Sequence, residues 1–148
     1  MPEAQLATLG NGAEFHLHDG AALYKLREVK RFDVAAQAGR EQVDKTNFDS
    51  PAWTKEYLSS FYEDTDIVVV LNSRIRSDTD LKIAAAQAAD AIRAFKQVIP
   101  ENGVPTTQIT GTCRVISYER GTVEPGGLME ATMTVRIVTL TAPAAYVA

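Results

Sequence analysis

His16 and His18 are the first residues whose type and spacing could do chemistry. They stand two apart in strand-like sequence, so their rings project to one face, with Glu14 and Asp19 close by. A zinc centre needs further ligands at recognised spacings, and the chain offers no clear third one. Exposed strand histidines are the better reading. Gly10-Asn11-Gly12 begins like a dinucleotide fingerprint, but Phe15 stands where the third glycine belongs and no strand precedes it. No G-x-S-x-G elbow is present. The single cysteine, Cys113, lies within strand-like sequence with no partner at motif spacing. It reads as a small buried hydrophobe rather than a nucleophile.

Acids are more plentiful: Glu41, Asp44, Asp49, Glu63, Asp64, Asp66, Asp78 and Asp80. A glycosidase needs two placed carboxylates, and this set offers raw material for a pair. Solvation on loops accounts for most of them, and helix capping accounts for Asp78 and Asp80. Trp53, Tyr57, Phe61 and Tyr62 either line a ligand groove or form an interface, where aromatic residues are enriched. The expectation is a chain with no catalytic residue, no cofactor and no metal.

Charge and length bound the remaining classes. The net charge is −4 and no basic run exceeds Lys30-Arg31. Tight binding to nucleic acid draws on rows of cations that displace counterions, so it is not expected. An acidic surface past which DNA slides is compatible with this charge. The longest apolar run, residues 67–71, is too short to span a bilayer. One cysteine forms no internal disulfide, and no basic-then-apolar leader is visible. Together these read as a protein made and kept in a reducing cytoplasm.

The elements that must position these residues are mostly strands. Residues 1–13 have no period and read as an N-terminal arm. Residues 13–18 form a short strand closed by Asp19-Gly20, and residues 23–34 a second. In the second, Leu26, Phe32 and Val34 fall on one face and Val29 on the other, so a bulge is expected near Arg27-Glu28. Residues 35–64 are polar, irregular and too long for an idle connection; within them residues 40–46 can pair as a strand of an extended hairpin. Residues 66–72 read as a central strand. Asp78 or Thr79 caps a helix whose positive end Asp80 complements. Leu81, Ala85, Ala88, Ile92 and Phe95 recur at helical spacing and are expected to form its buried stripe. Pro100 ends that segment and Asn102-Gly103 turns the chain. Residues 107–119 and 129–141 are two long strands joined by a turn at Glu124-Pro125-Gly126-Gly127. Residues 142–148 are small and apolar and read as a C-terminal arm that docks on another subunit. The fold class is mainly β with one helix: a β-sandwich or small barrel flanked by an α-helix, with a long loop and extended termini.

This order of elements resembles the major tail tube proteins of siphophages, the lambda-like tail tube fold. Their early segment carries an acidic residue followed by D-x-T-x-x-D-S; here those positions are Glu41, Asp44, Thr46, Asp49 and Ser50. Residues 111–119 and 131–137 are similar to that family's last two strands. The likeness spans residues 14–141 and departs from the pattern at Pro51-Ala52-Trp53. The resemblance implies a single domain that assembles into hexameric rings stacked as a tube, the conduit for DNA during ejection. It implies residence in the virion tail and, as partners, tape measure, terminator and distal tail proteins. DNA passes the lumen without specific binding, and no membrane is involved. Residues 35–64 become the inter-ring loop, with Glu41, Asp44, Thr46, Phe48, Asp49, Trp53 and Tyr57 as its contacts. Residues 107–119 and 129–141 become the sheet lining a lumen of negative potential. The alternative is a monomeric β-sandwich or barrel that binds a small ligand, with Trp53 and Tyr57 in its mouth.

Overall fold

A computed structural model describes residues 12–37, 39–62 and 64–147, without the side chains of Ala52, Phe61 and Tyr62. The expected N-terminal arm, apart from residues 12 and 13, lies outside the described residues, as does Glu63. The strands are β1 (Glu14–His18), β2 (Leu23–Lys25), β3 (Val29–Phe32), β4 (Arg40–Asp44), β5 (Tyr57–Tyr62), β6 (Asp66–Asn72), β7 (Arg93–Glu101), β8 (Val104–Glu119), β9 (Glu130–Leu140) and β10 (Ala144–Ala145). One helix, α1 (Asp78–Ala89), lies between β6 and β7.

The main sheet is antiparallel and runs β2-β1-β7-β8-β9-β6-β3, with β10 also on β8. Its two edge strands, β2 and β3, are separated by only residues 26–28. That short link forces the edges together, so the sheet rolls up on itself. Glu28 takes a left-handed φ of 58° at this corner. The Leu26 amide donates to Phe15 O at 2.9 Å and the Asn72 amide to Glu28 O at 3.0 Å, tying the link to both sides. The expected single strand over residues 23–34 is therefore two strands on opposite edges. A bulge does occur, between Val29 and Arg31 against β6.

Inside the roll, Phe15, Leu17, Ile67, Val69, Phe95, Cys113, Val115, Met133 and Val135 form the core, with Phe32 and Val29 packed against it. Val34, expected to share a face with Leu26 and Phe32, is exposed. Strand alternation accounts for the core: Met133, Val135 and Ile137 point in while Thr134 and Arg136 point out. Phe95 stacks on Phe15 with centroids 6.1 Å apart, and Phe15 meets Phe32 edge-on at 5.7 Å. Gly111 lies beneath these rings, where an added Cβ would fall 2.2 Å from Thr139 O.

The helix differs from its sequence reading in cap, length and face. Ser77 is the N-cap, its hydroxyl accepting the Asp80 amide at 3.3 Å, in place of Asp78 or Thr79. Thr79 is buried, and its hydroxyl accepts the Arg27 amide and meets the Tyr24 hydroxyl, both at 3.2 Å. The helix stops at Ala89 because Asp90 turns left-handed, with φ 47°. Buried against the sheet are Thr79, Asp80, Ile83 and Ala86. Leu81, Ala85 and Ala88 are exposed, and Ile92 lies past the helix end, also exposed. Phe95 is buried, but on β7, where it shares a face with Gln97 and Ile99 at period two. Pro100 lies inside β7 rather than ending a helix. Asn102 and Gly103, with φ 51° and 82°, make the tight β7–β8 hairpin turn.

The C-terminal segment also departs from expectation. Its β10 continues the β8 ladder beyond Pro143, pairing with Thr107 and Gln108 of the same chain. The Lys96 ammonium donates to Val147 O at 3.0 Å and lies 5.0 Å from the centroid of the Tyr146 ring.

Candidate assembly surfaces

Residues 35–64 leave the rolled sheet through a buried amide. Gln97 is fully buried, its Oε1 accepting the Ala35 amide and its Nε2 donating to Asp33 O, both at 2.8 Å. A buried amide with both ends satisfied is a firm anchor. Sequence reasoning missed Gln97, because a glutamine in apolar strand sequence gives no sign of where it points.

Beyond the anchor, β4 and β5 pair only with each other, Asp44 opposite Tyr57 and Val43 opposite Leu58. Glu41 and Asp44 are exposed on β4, Thr46, Phe48, Asp49 and Trp53 are exposed around the tip, and Tyr57 is exposed at the start of β5. The motif residues build the tip. Asp44 Oδ1 accepts the Thr46 amide at 2.9 Å, and the Thr46 hydroxyl accepts the Glu56 amide at 2.9 Å. The Ser50 hydroxyl accepts the Asn47 amide at 3.0 Å, and the Asp49 amide donates to Asn47 Oδ1 at 2.8 Å. Hydrogen bonds from the Thr46 side chain and backbone hold the Asp44 carboxyl below its ordinary range. These hydrogen bonds shape the hairpin tip.

Phe48 and Trp53 at the tip are fully exposed, and Val43, Tyr57 and Leu58 are close to half exposed. Trp53 also takes a positive φ of 61°, a conformation that costs a non-glycine residue about 1–3 kcal/mol. A lone two-stranded hairpin is marginal in water, and contiguous exposed apolar surface marks a place of interaction. Trp53 and Tyr57 stand on this projection and not at a barrel mouth, and the roll is filled by its own side chains. The aromatic groove of the ligand-binding alternative therefore lies on the hairpin, where Thr46, Phe48, Trp53 and Lys55 line a cavity, rather than in the roll.

The remaining candidates hold structure together. Burial lowers the His16 pKa, Glu14 Oε2 being 3.8 Å away, and His18 Nδ1 accepts the Gly20 amide at 3.0 Å. Among the described residues no cluster of three or more histidine, cysteine or acidic side chains is arranged for a metal. Cys113 is fully buried, which pushes its thiol up to about 12.

Asp80 does more than complement the helix end. Its side chain is 3% exposed and accepts from Tyr118 Oη at 2.7 Å, Arg120 Nε at 2.9 Å and the Arg76 amide at 3.1 Å. Burial alone would raise its pKa, but these hydrogen bonds outweigh it and the carboxyl lies below its ordinary value. Asp80 thereby ties the helix to the end of β8. Asp80→Asn is expected to cost about 1–3 kcal/mol, less than a fully buried pair because Arg120 is 46% exposed. A depressed folded-state pKa gives stability that is complete above the unfolded value of about 4 and fades as pH falls through the folded one. Denaturant titrations between pH 7 and 2 are expected to show a shallower acid limb in the variant.

No protein-family model matches the chain, and neither does any curated protein sequence. Solved structures do. A chain in the tail of an empty gene transfer agent particle, refined with helical and C6 symmetry, superposes with a TM-score of 0.70 at 16% identity, covering 91% of this chain and 98% of that one. A chain of the anti-feeding prophage baseplate, six-fold symmetrised, gives 0.70 at 9% identity, covering 95% and 97%. The SPP1 tail tube gives 0.66 at 11% identity, covering 96% and 81%. Across nearly its whole length, this chain has the fold found in bacteriophage tail tubes and related tail assemblies.

Proposed function

We propose that this chain is a structural, non-enzymatic subunit of a tail tube. The observation that carries the reading is the fold shared end to end with a chain of a six-fold, helically repeating tail. On this reading the subunits form hexameric rings by head-to-tail contacts, and the rings stack into a tube in a virion tail, with other tail proteins at its ends. The single domain then comprises the rolled sheet with residues 1–13, 35–64 and 142–148 as its accessory segments. Residues 35–64 make the contact between subunits through Phe48, Trp53 and Tyr57, with Glu41, Asp44, Thr46 and Asp49 shaping or flanking it.

The strands expected to line the lumen, β8 and β9, carry Thr110, Thr112, Thr134, Thr139, Arg114 and Arg136 on their outward face. Thr112 and Thr139 bond to each other at 2.7 Å, and Arg136 is held by Asp66 at 2.9 Å. This face is rich in hydroxyls and carries charges of both signs, Arg114 and Arg136 beside Glu130, which Lys30 engages.

Negative-stain electron microscopy of the concentrated protein, with light scattering for mass, tests the proposal. Rings or hollow tubes of uniform width are expected. A strictly monomeric protein at all concentrations would count against a self-assembling tube subunit.

A further inference from the structure

Strand β8 is covered unequally on its two sides. On one side β7 is laddered to it from Val104 to Cys113; on the other β9 is laddered to it only from Gly111 to Glu119. The first half of that second side is a sheet edge. No charged residue stands between Glu101 and Arg114 to blunt it, and its single proline, Pro105, lies at its start. An uncharged, threonine-rich edge of this kind pairs readily with other chains unless something covers it.

The cover is the chain's own residues 141–147. The Thr141 amide donates to Thr110 O at 2.9 Å, Ala144 and Ala145 stand opposite Gln108 and Thr107, and the Tyr146 amide donates to Thr106 O at 3.0 Å. The same segment reaches over the outer face of the sheet. Val98 alternates with the inward Gln97 and so points out, opposite Glu14 on one side and Gln108 on the other, yet it is fully buried. Side chains beside it hold the segment down: Gln108 Oε1 accepts the Val147 amide at 3.2 Å, and Lys96 donates to Val147 O and lies against the Tyr146 ring. The hold is light. Apart from the half-buried Tyr146 these residues are exposed, and β10 is two residues long.

We propose that residues 141–147 are an autoinhibitory clasp, covering the β8 edge and keeping it from pairing with the same edge of a second copy. Two such edges related by a two-fold axis form an antiparallel ladder, each supplying the donors and acceptors that the other lacks. They would meet without charge repulsion, and release of the clasp would lay Val98 open beside them. A two-fold pairing closes on itself as a dimer, so it is no step in a stack of rings, and the clasp stands apart from the tube reading.

The test compares the full chain with one ending at Thr141, below the concentration at which the full chain assembles. Residues 142–148 contribute no side chain to the described core, so the shorter chain should fold. Analytical ultracentrifugation is expected to show it dimerising at a concentration lower than the full chain's by about tenfold or more. Amide hydrogen exchange is expected to show residues 104–110 open in the shorter monomer and protected in its dimer. Lys96→Met in the full chain, which removes only the ammonium contacts, is expected to shift dimerisation the same way by a smaller factor, and it decides the matter if the shorter chain fails to fold. A folded chain ending at Thr141 that stays as monomeric as the full chain would overturn the clasp. So would Lys96→Met without effect, or dimers whose β8 amides still exchange freely. Rings or tubes from the full chain are read separately by electron microscopy, so failure of the tube reading is distinguishable from failure of the clasp.

Discussion

Phe95→Ala is expected to destabilise the fold by about 3–5 kcal/mol, the range for removing a phenyl ring from a core that relaxes only partly. The ring is 1% exposed and stacked on Phe15 with an angle of 7° between planes. Its far edge lies over Gly111, where an added Cβ would come within 3.0 Å of Phe95 Cε1. The neighbouring strands cannot move in to fill the gap, because β7 is laddered on one side to β1 and on the other to β8. For a chain of this size the loss corresponds to a fall in melting temperature of about 6–20 °C. Thermal and guanidinium unfolding followed by circular dichroism would measure it. Phe95→Leu, which keeps most of the volume, should lose markedly less. A near-neutral Phe95→Ala would mean that the roll is not closed around this ring.

Phe95 also marks where the sequence could and could not be read. Its burial was legible, but its element was not. Leu81, Ala85, Ala88, Ile92 and Phe95 fit one helical period, yet the first three face away from the sheet, Ile92 is past the helix end and Phe95 is on a strand. The period hid the break because the stop is an aspartate in left-handed geometry, Asp90, with no glycine to announce it. Alanine-rich sequence has no strong side, so spacing cannot say which face meets the sheet. Polar partners decided it: Thr79 and Asp80 point inward to Tyr24, Tyr118 and Arg120, contacts 38 to 55 residues away in the chain. The long strands β8 and β9 were legible because their alternation persists through many residues. The corner at residues 26–28 showed as a break in alternation, though that break could not reveal that its two sides pair with opposite edges of one sheet.

The candidate site was legible for a different reason. Phe48, Trp53 and Tyr57 are large aromatics in a polar stretch too long for a connection, and a chain without a use for them would not keep them in solvent. The D-x-T-x-x-D-S residues were legible as a pattern but not as a mechanism. Only the geometry shows that Asp44, Thr46 and Ser50 fold the tip through backbone amides.

Removing the hairpin, residues 40–62, and joining the flanks with a short glycine-serine link is expected to leave a folded monomer that forms neither rings nor tubes. The fold should survive because β4 and β5 pair with no strand of the main sheet. The chain upstream stays anchored by Gln97 at Asp33 and Ala35, and downstream β6 stays laddered to β9. Loss of a marginal two-stranded unit takes little stability with it. Assembly should fail because the tip carries the two most exposed aromatic rings of the described chain, the kind of residue on which interface energy concentrates. Circular dichroism would report the fold, and light scattering with electron microscopy the assembly. Normal tubes from the deletion would remove the hairpin from the contact between subunits and leave it to the edges of the rolled sheet. A smaller cut, Trp53→Ala, separates the ring from the backbone that presents it: weaker assembly at unchanged monomer stability is expected, since Trp53 packs on nothing in its own core.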